Sequence, residues 1–248
     1  MRKICIIYQK GGVGKTTTTV NLAAGLAMKD KKVLILDLDP QGNISTSFCA
    51  ASEKNMYHIL VEDVNPYECI INVAENLDII TSDKRLAQAE LVLAGMPSRE
   101  TVLRRRLADL HGYDYVLIDC PPTINLLNQN ALLYANEAFI PVVTDYLSID
   151  ALRKMEATIN ELNELFDHNL MISTIIPTMY DKRVRSNIMN LAEIKKGFRD
   201  RVAEPIRINS KLREAPASGV NIFEFAKYSN GAKDYLKLVD KVLKSEFY

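Results

Sequence analysis

The stretch Lys3-Ile4-Cys5-Ile6-Ile7-Tyr8-Gln9-Lys10-Gly11-Gly12-Val13-Gly14-Lys15-Thr16-Thr17-Thr18-Thr19 decides how this chain is read. A short apolar run, Ile4 to Tyr8, breaks into a glycine-rich loop and then into a helical pattern at Val20, Leu22, Ala23, Ala24, Leu26 and Ala27. Strand, loop and helix in that order make a phosphate-binding unit. Glycines at 11, 12 and 14 leave no Cβ to block a polyanion, so the backbone N–H groups from Gly11 through Val13 to Thr17 can turn toward phosphate at the positive end of the helix. Lys15 then reaches the β- and γ-phosphates, and the Thr16 hydroxyl can ligate Mg²⁺. The pattern G-x-x-x-x-G-K-[ST] wants glycine at position 9. Here that residue is Gln9, and an extra lysine, Lys10, follows it.

Working outward, 248 residues suffice for one large α/β domain with a core that needs no disulfides, and the expectation is a single unit over 1–248. Hydrophobic content of 48% and charged content of 25% are ordinary for a globular chain. The four cysteines, at 5, 49, 69 and 120, are scattered without C-x-x-C spacing and read as reduced thiols of a cytoplasmic protein. The apolar runs are too short to span a bilayer and no signal region precedes the first strand, so secretion and membrane insertion are not expected.

Two further apolar runs end in carboxylates. Val33 to Leu36 leads into Asp37-Leu38-Asp39-Pro40-Gln41-Gly42-Asn43, and Tyr115 to Ile118 into Asp119-Cys120-Pro121-Pro122. Neither run alternates, which predicts strands covered on both faces. In a doubly wound sheet the ligand lies at the carboxyl ends of the strands, where Asp37 and Asp39, two residues apart, would project the same way. An anion beside the phosphate loop is needed to hold Mg²⁺, directly or through water, and Asp119 fits that part. Leu77–Thr81, Ala138–Asp145 and Leu170–Ile176 complete the predicted strands. Helices are predicted over Met56–Val61, Asp83–Leu93, Arg99–Leu110, Asn125–Tyr134, Ile149–Phe166 and Ala232–Tyr248. The fold class is therefore α/β, with a mainly parallel, doubly wound sheet and helices on both faces.

K-G-G-V-G-K-T-T resembles the deviant Walker A box of the ParA/Soj/MinD ATPases, P-loop NTPases of the SIMIBI type, whose first lysine is the signature residue. D-x-D-P-Q-G-N and D-C-P-P resemble the two switch segments of the same family. By that match Asp39 orients the attacking water and adjoins Mg²⁺, with Asp37 as its neighbour, and Lys10 crosses a dimer interface to the partner's nucleotide. Thr178-Met179-Tyr180-Asp181-Lys182-Arg183 resembles the segment beside the nucleotide base, so Thr178 and Met179 are expected there and Arg183 at DNA. Asn209-Ser210-Lys211-Leu212-Arg213-Glu214-Ala215-Pro216 resembles N-V-R-x-x-E-A-P, which sets Asn209 at adenine and Lys211 at DNA. Relatives carry proline where this chain has Arg207, and a glutamate and a glycine near Asp145 and Ala151, to which no role is assigned. The resemblance implies a slow, partner-stimulated ATPase with ATP and Mg²⁺ as cofactors. It implies an ATP-dependent homodimer that binds double-stranded DNA without sequence preference on the nucleoid, and a ParB-type protein that stimulates hydrolysis during plasmid or chromosome segregation.

Charge distribution agrees with a polyanionic partner. Net charge is zero, yet Lys182–Arg213 holds ten basic residues against three acidic ones. Arg183, Arg185, Lys195, Lys196, Arg199, Arg207, Lys211 and Arg213 are the candidate phosphate contacts, and no helix-turn-helix precedes the phosphate loop to add sequence reading. The run Arg104-Arg105-Arg106 reads instead as the solvated face of an amphipathic helix. A C-terminal stripe, Leu236, Val239, Val242, Leu243 and Phe247, is the one feature pointing elsewhere. It resembles the membrane-binding tail of MinD-like relatives, although Asp234, Asp240 and Glu246 nearly balance its lysines, and packing against the sheet is the expected use.

Overall fold

The apolar runs pair side by side because each strand carries core residues on both faces. A computed structural model of the chain describes residues 1–123, 125–146 and 148–245. In chain order these form β1 (Arg2–Ile6), α1 (Lys15–Ala27), β2 (Val33–Asp37), α2 (Asn43–Phe48), α3 (Met56–Glu62), β3 (Ile71–Ala74), β4 (Leu77–Ile80), α4 (Leu86–Ala94), α5 (Val102–Arg106), β5 (Tyr115–Asp119), α6 (Leu126–Tyr134), β6 (Glu137–Val143), α7 (Ser148–Phe166), β7 (Met171–Thr178), α8 (Arg185–Phe198), α9 (Ser210–Glu214), α10 (Ile222–Ala226) and α11 (Asn230–Lys244). One seven-stranded sheet runs β3-β4-β2-β5-β1-β6-β7. All neighbours are parallel except β3, which pairs antiparallel with β4 at the edge.

Side-chain alternation splits the core into two layers. Cys5, Ile7, Leu34, Leu36, Val116 and Ile118 face one way and pack with Leu103, Leu127, Met155 and Ile194 from the helices on that side. Ile4, Ile6, Val33, Ile35, Tyr115 and Leu117 face the other and pack with Leu22 and Leu26 of α1 and Leu238, Val239 and Val242 of α11. Register then places the site: Ile6 pairs with Asp119, and Asp37 with Asp119, so three strands end level and their loops open on one edge.

Several elements differ from expectation for identifiable reasons. β1 starts and stops two residues earlier, because the chain leaves it to form the phosphate loop. The helix predicted from Asp83 begins at Leu86, since the Asp83 carboxylate receives the Arg85 backbone N–H at 2.8 Å and caps a turn. The helix predicted over Arg99–Leu110 is a 3₁₀ turn followed by the short α5, because buried Asn130 takes the Leu103 N–H at 2.9 Å. Strand β3 and helices α2, α8, α9 and α10 went unassigned in the sequence. The stripe residue Phe247, with Glu246, lies outside the described residues. Among those that are described, no helix is long and apolar enough to cross a membrane.

Candidate functional site

The loop between β1 and α1 is held open by its own backbone. Gly12 and Gly14 have φ of +72° and +90°, where any other side chain would be strained. Helix α1 starts at Lys15 with no side-chain cap and no acidic residue in its first turn, so its leading N–H groups are left for an anion. The Thr178 hydroxyl pins the loop from β7 by donating to the Val13 carbonyl at 2.8 Å. Lys15 is buried and folds back across the loop, donating to the carbonyls of Tyr8 at 3.3 Å and Lys10 at 3.2 Å. Burial lowers its pKa, while Asp119 and Asp39 pull the other way.

The carboxylates gather beneath the helix start. Asp119 Oδ2 accepts the Thr16 hydroxyl at 2.6 Å, and Oδ1 accepts the Thr19 hydroxyl at 3.1 Å. Complete burial pushes Asp119 up to about 7; the threonine hydrogen bonds oppose that and the charge of Asp39 adds to it. Asp37, also fully buried, is raised well above the carboxylate range by burial and then by Asp119, and receives the Asp39 and Ile44 backbone N–H groups. β2 stops at Asp37, so Asp39 belongs to the following turn, where its Oδ1 accepts the Gln41 N–H at 2.9 Å. Thr19 was not anticipated, although it stands three residues after Thr16 on the same helix face.

Beside the loop lies a cavity of about 340 Å³ whose walls include Gly14, Thr178, Met179, Arg207, Asn209 and Tyr235. The volume is within the range of small-ligand pockets. Thr178, Met179 and Asn209 thus stand together on the wall of one cavity. Asn209 uses Oδ1 to accept the Lys211 N–H at the start of α9. Tyr235, from α11, shares a hydrogen bond of 3.1 Å with Thr18 of α1.

Lys10 is engaged in an ion pair within its own chain. Its Nζ meets Asp145 Oδ2 at 2.7 Å, both side chains being partly exposed. Asp145 was given no role from the sequence; in the fold it follows β6, the neighbour of β1.

The basic residues divide into two groups. Arg207 departs from the DNA-facing expectation: its backbone N–H and its guanidinium grip Asp234, which is nearly fully buried, and it forms part of the cavity wall. Arg183 pairs with Asp181, Lys195 with Glu204 and Lys211 with Glu214. Arg185, Lys196, Arg199 and Arg213 are exposed and, among the described residues, show no ion pair. Lys195 and Lys196 also fill the last turn of α8, where they offset the helix dipole. The described part of the C-terminal stripe is used internally: Val239 and Val242 are buried and Leu236 and Leu243 pack partly buried against the same layer.

Among the described residues no three His, Cys, Asp or Glu side chains group to hold a metal on their own. The pairing of one carboxylate, Asp119, with the Thr16 hydroxyl fits Mg²⁺ in particular, since Mg²⁺ keeps waters and phosphate oxygens in its octahedron and takes few protein ligands.

A family model described as an AAA domain matches residues 1–172. The sporulation initiation inhibitor protein Soj of Bacillus subtilis (strain 168) is 41% identical over 245 residues, covering 96% of this chain and 97% of that protein. The chromosome-partitioning ATPase Soj of Thermus thermophilus is 36% identical, covering 98% of this chain and 96% of that one. Among solved structures, cobyrinic acid a,c-diamide synthase from Mycobacterium smegmatis with bound ATP analog and magnesium superposes with a TM-score of 0.84 at 28% identity, covering 98% of this chain and 95% of that chain.

Proposed function

Because this chain belongs to the Soj/ParA family of partitioning ATPases, we propose that it hydrolyses ATP with Mg²⁺ and uses nucleotide state to switch DNA binding on and off. The observation that carries the reading is the meeting of Lys15, Thr16, Asp119 and Asp39 at the mouth of a glycine loop beside a base-sized cavity. Thr16 and Asp119, with Asp39 through water, would hold Mg²⁺, which would supply neutralisation of the charge on the phosphates. Lys15 binds the β- and γ-phosphates, Asp39 orients the attacking water, and the glycine loop excludes bulk solvent. Thr178, Met179 and Asn209 hold the adenine. Since α1 leaves its first N–H groups uncapped, binding energy is concentrated on the phosphates.

Lys10 acts across a face-to-face homodimer, in the manner of an arginine finger. Dimerisation brings the exposed cations, among them Arg185, Lys196, Arg199 and Arg213, onto one continuous surface for nonspecific double-stranded DNA. A ParB-type partner stimulates hydrolysis and resets the cycle, placing the protein on the nucleoid in plasmid or chromosome segregation. The membrane-cycling alternative is not carried forward, because the described residues of the stripe it needs, Leu236, Val239, Val242 and Leu243, pack against the core.

The test is DNA retention with and without ATP at two salt concentrations, for the natural sequence and for Lys15→Ala. ATP-dependent retention that falls steeply with salt and disappears with Lys15→Ala is expected. Retention unchanged by ATP or by that substitution contradicts the switch.

A further inference from the structure

The turn that carries Asp39 is anchored by a residue from a different strand. Ser82, just past the end of β4 and 5% exposed, donates its hydroxyl proton to the Asp39 carbonyl at 2.5 Å. The same carbonyl accepts the Gly42 N–H at 3.0 Å, so the 39–42 turn is closed from two sides. Contact here is backbone to backbone: a Cβ on Gly42, whose φ is +65°, would stand 3.0 Å from the Ser82 carbonyl oxygen. Ser82 is itself well supported. Asp83, next in the chain, accepts Asn55 Nδ2 at 2.7 Å and the Arg85 N–H at 2.8 Å. At the other end of α4's first turns, Glu90 accepts the Leu126 N–H at 3.1 Å, at the start of α6.

We propose that Ser82 is a positioning residue for Asp39, fixing the aim of its carboxylate toward the attacking water. This rests on the reading of Asp39 as the water-orienting group. Asp39 Oδ1 is tied to Gln41 N–H inside the same turn, so the direction of the carboxylate follows the turn, and the turn follows its anchors. Removing the Ser82 hydroxyl leaves a buried carbonyl with one partner fewer and lets the turn relax. A relaxation of the order of 1 Å at a reacting centre costs roughly 100-fold in rate. Ser82 forms no part of the base cavity, although its side chain also reaches Asp37, so the Kd for ATP is measured beside the rate.

The experiment compares Ser82→Ala, Asp39→Ala and the double variant in single-turnover ATP hydrolysis, with the Kd for ATP and the thermal unfolding of each. Ser82→Cys, which fills nearly the same space with a weak donor, is the second variant in case the alanine chain does not fold. The expected result for Ser82→Ala and Ser82→Cys is a rate loss of about 10- to 100-fold with the Kd for ATP within about twofold. The double variant should be no slower than Asp39→Ala alone, because Ser82 acts through Asp39. A natural rate in both Ser82 variants while Asp39→Ala is inactive overturns the proposal and leaves the role of Asp39 standing. Rate losses that multiply in the double variant overturn it as well. A natural rate in Asp39→Ala overturns the reading of Asp39 and the proposal with it.

Discussion

Lys10 Nζ lies 2.7 Å from Asp145 Oδ2, so the lysine that distinguishes this phosphate loop is held by its own chain's turn after β6. Side-chain exposures of 59% and 39% put the pair in solvent-screened surroundings, where it is worth less than about 1 kcal/mol. Such a tether parks the lysine without trapping it.

Asp145→Ala should therefore release Lys10 and ease dimer formation. A shift of at most about fivefold in the protein concentration at which the ATP-bound chain dimerises is expected in sedimentation velocity. Lys10→Ala should keep ATP affinity and lose productive hydrolysis. Hydrolysis at the natural rate in that variant would sink the finger role.

The basic residues are not equivalent, and DNA binding should say so. Lys196→Ala and Arg199→Ala are each expected to lower the slope of log K against log salt by about one, as loss of a phosphate contact does. Arg207→Ala should leave that slope alone and instead weaken nucleotide binding, because its guanidinium is spent on Asp234 in the cavity wall. An altered salt slope for Arg207→Ala would return it to the DNA surface.

Gly25 in α1 allows α11 to approach. An added Cβ would sit 2.5 Å from Val239 Cγ2 and 3.2 Å from Phe223 Cε2. Gly25→Ala gains about 1 kcal/mol of helix propensity but overpacks a buried seam at about 1–3 kcal/mol. A net loss of up to about 2 kcal/mol, or up to roughly 8 °C in the unfolding midpoint, is expected by calorimetry.

Thiol chemistry gives a simple check on the core. Burial pushes Cys5 up to about 12 and Cys69 to about 11, and raises Cys120 well above the thiol range. All three stay protonated and shielded at pH 8, whereas Cys49 is exposed. A thiol reagent should titrate one cysteine rapidly in the native protein and four after denaturation. Rapid reaction of a second thiol would mean that β1, the Pro66–Cys69 turn or the Asp119 loop opens in solution.

What the sequence made legible was local. A glycine loop announces its φ values, and a buried strand ending in aspartate announces where that aspartate points, because a few adjacent residues determine both. The pairings that give the site its shape join residues far apart in the chain: Lys10 with Asp145, Asp39 with Ser82, Arg207 with Asp234. No periodicity carries them. The basic window concealed a helix for a related reason: α8 buries only Leu191, Ile194 and Phe198, and its remaining positions are dominated by contacts with solvent. β3 has four residues at a sheet edge, too few for alternation to register against the surrounding loop.

Helix α11 reaches the cavity beside the glycine loop through two consecutive residues, Asp234 on Arg207 and Tyr235 on Thr18 of α1. Ribosomal synthesis delivers that helix after every element it braces, and β1 waits more than a hundred residues for its partner β5. A nascent chain can thus display its glycine loop early yet lack one wall of the cavity beside it. The cavity beside the glycine loop is thus walled only after α11 has been made, long after the loop itself.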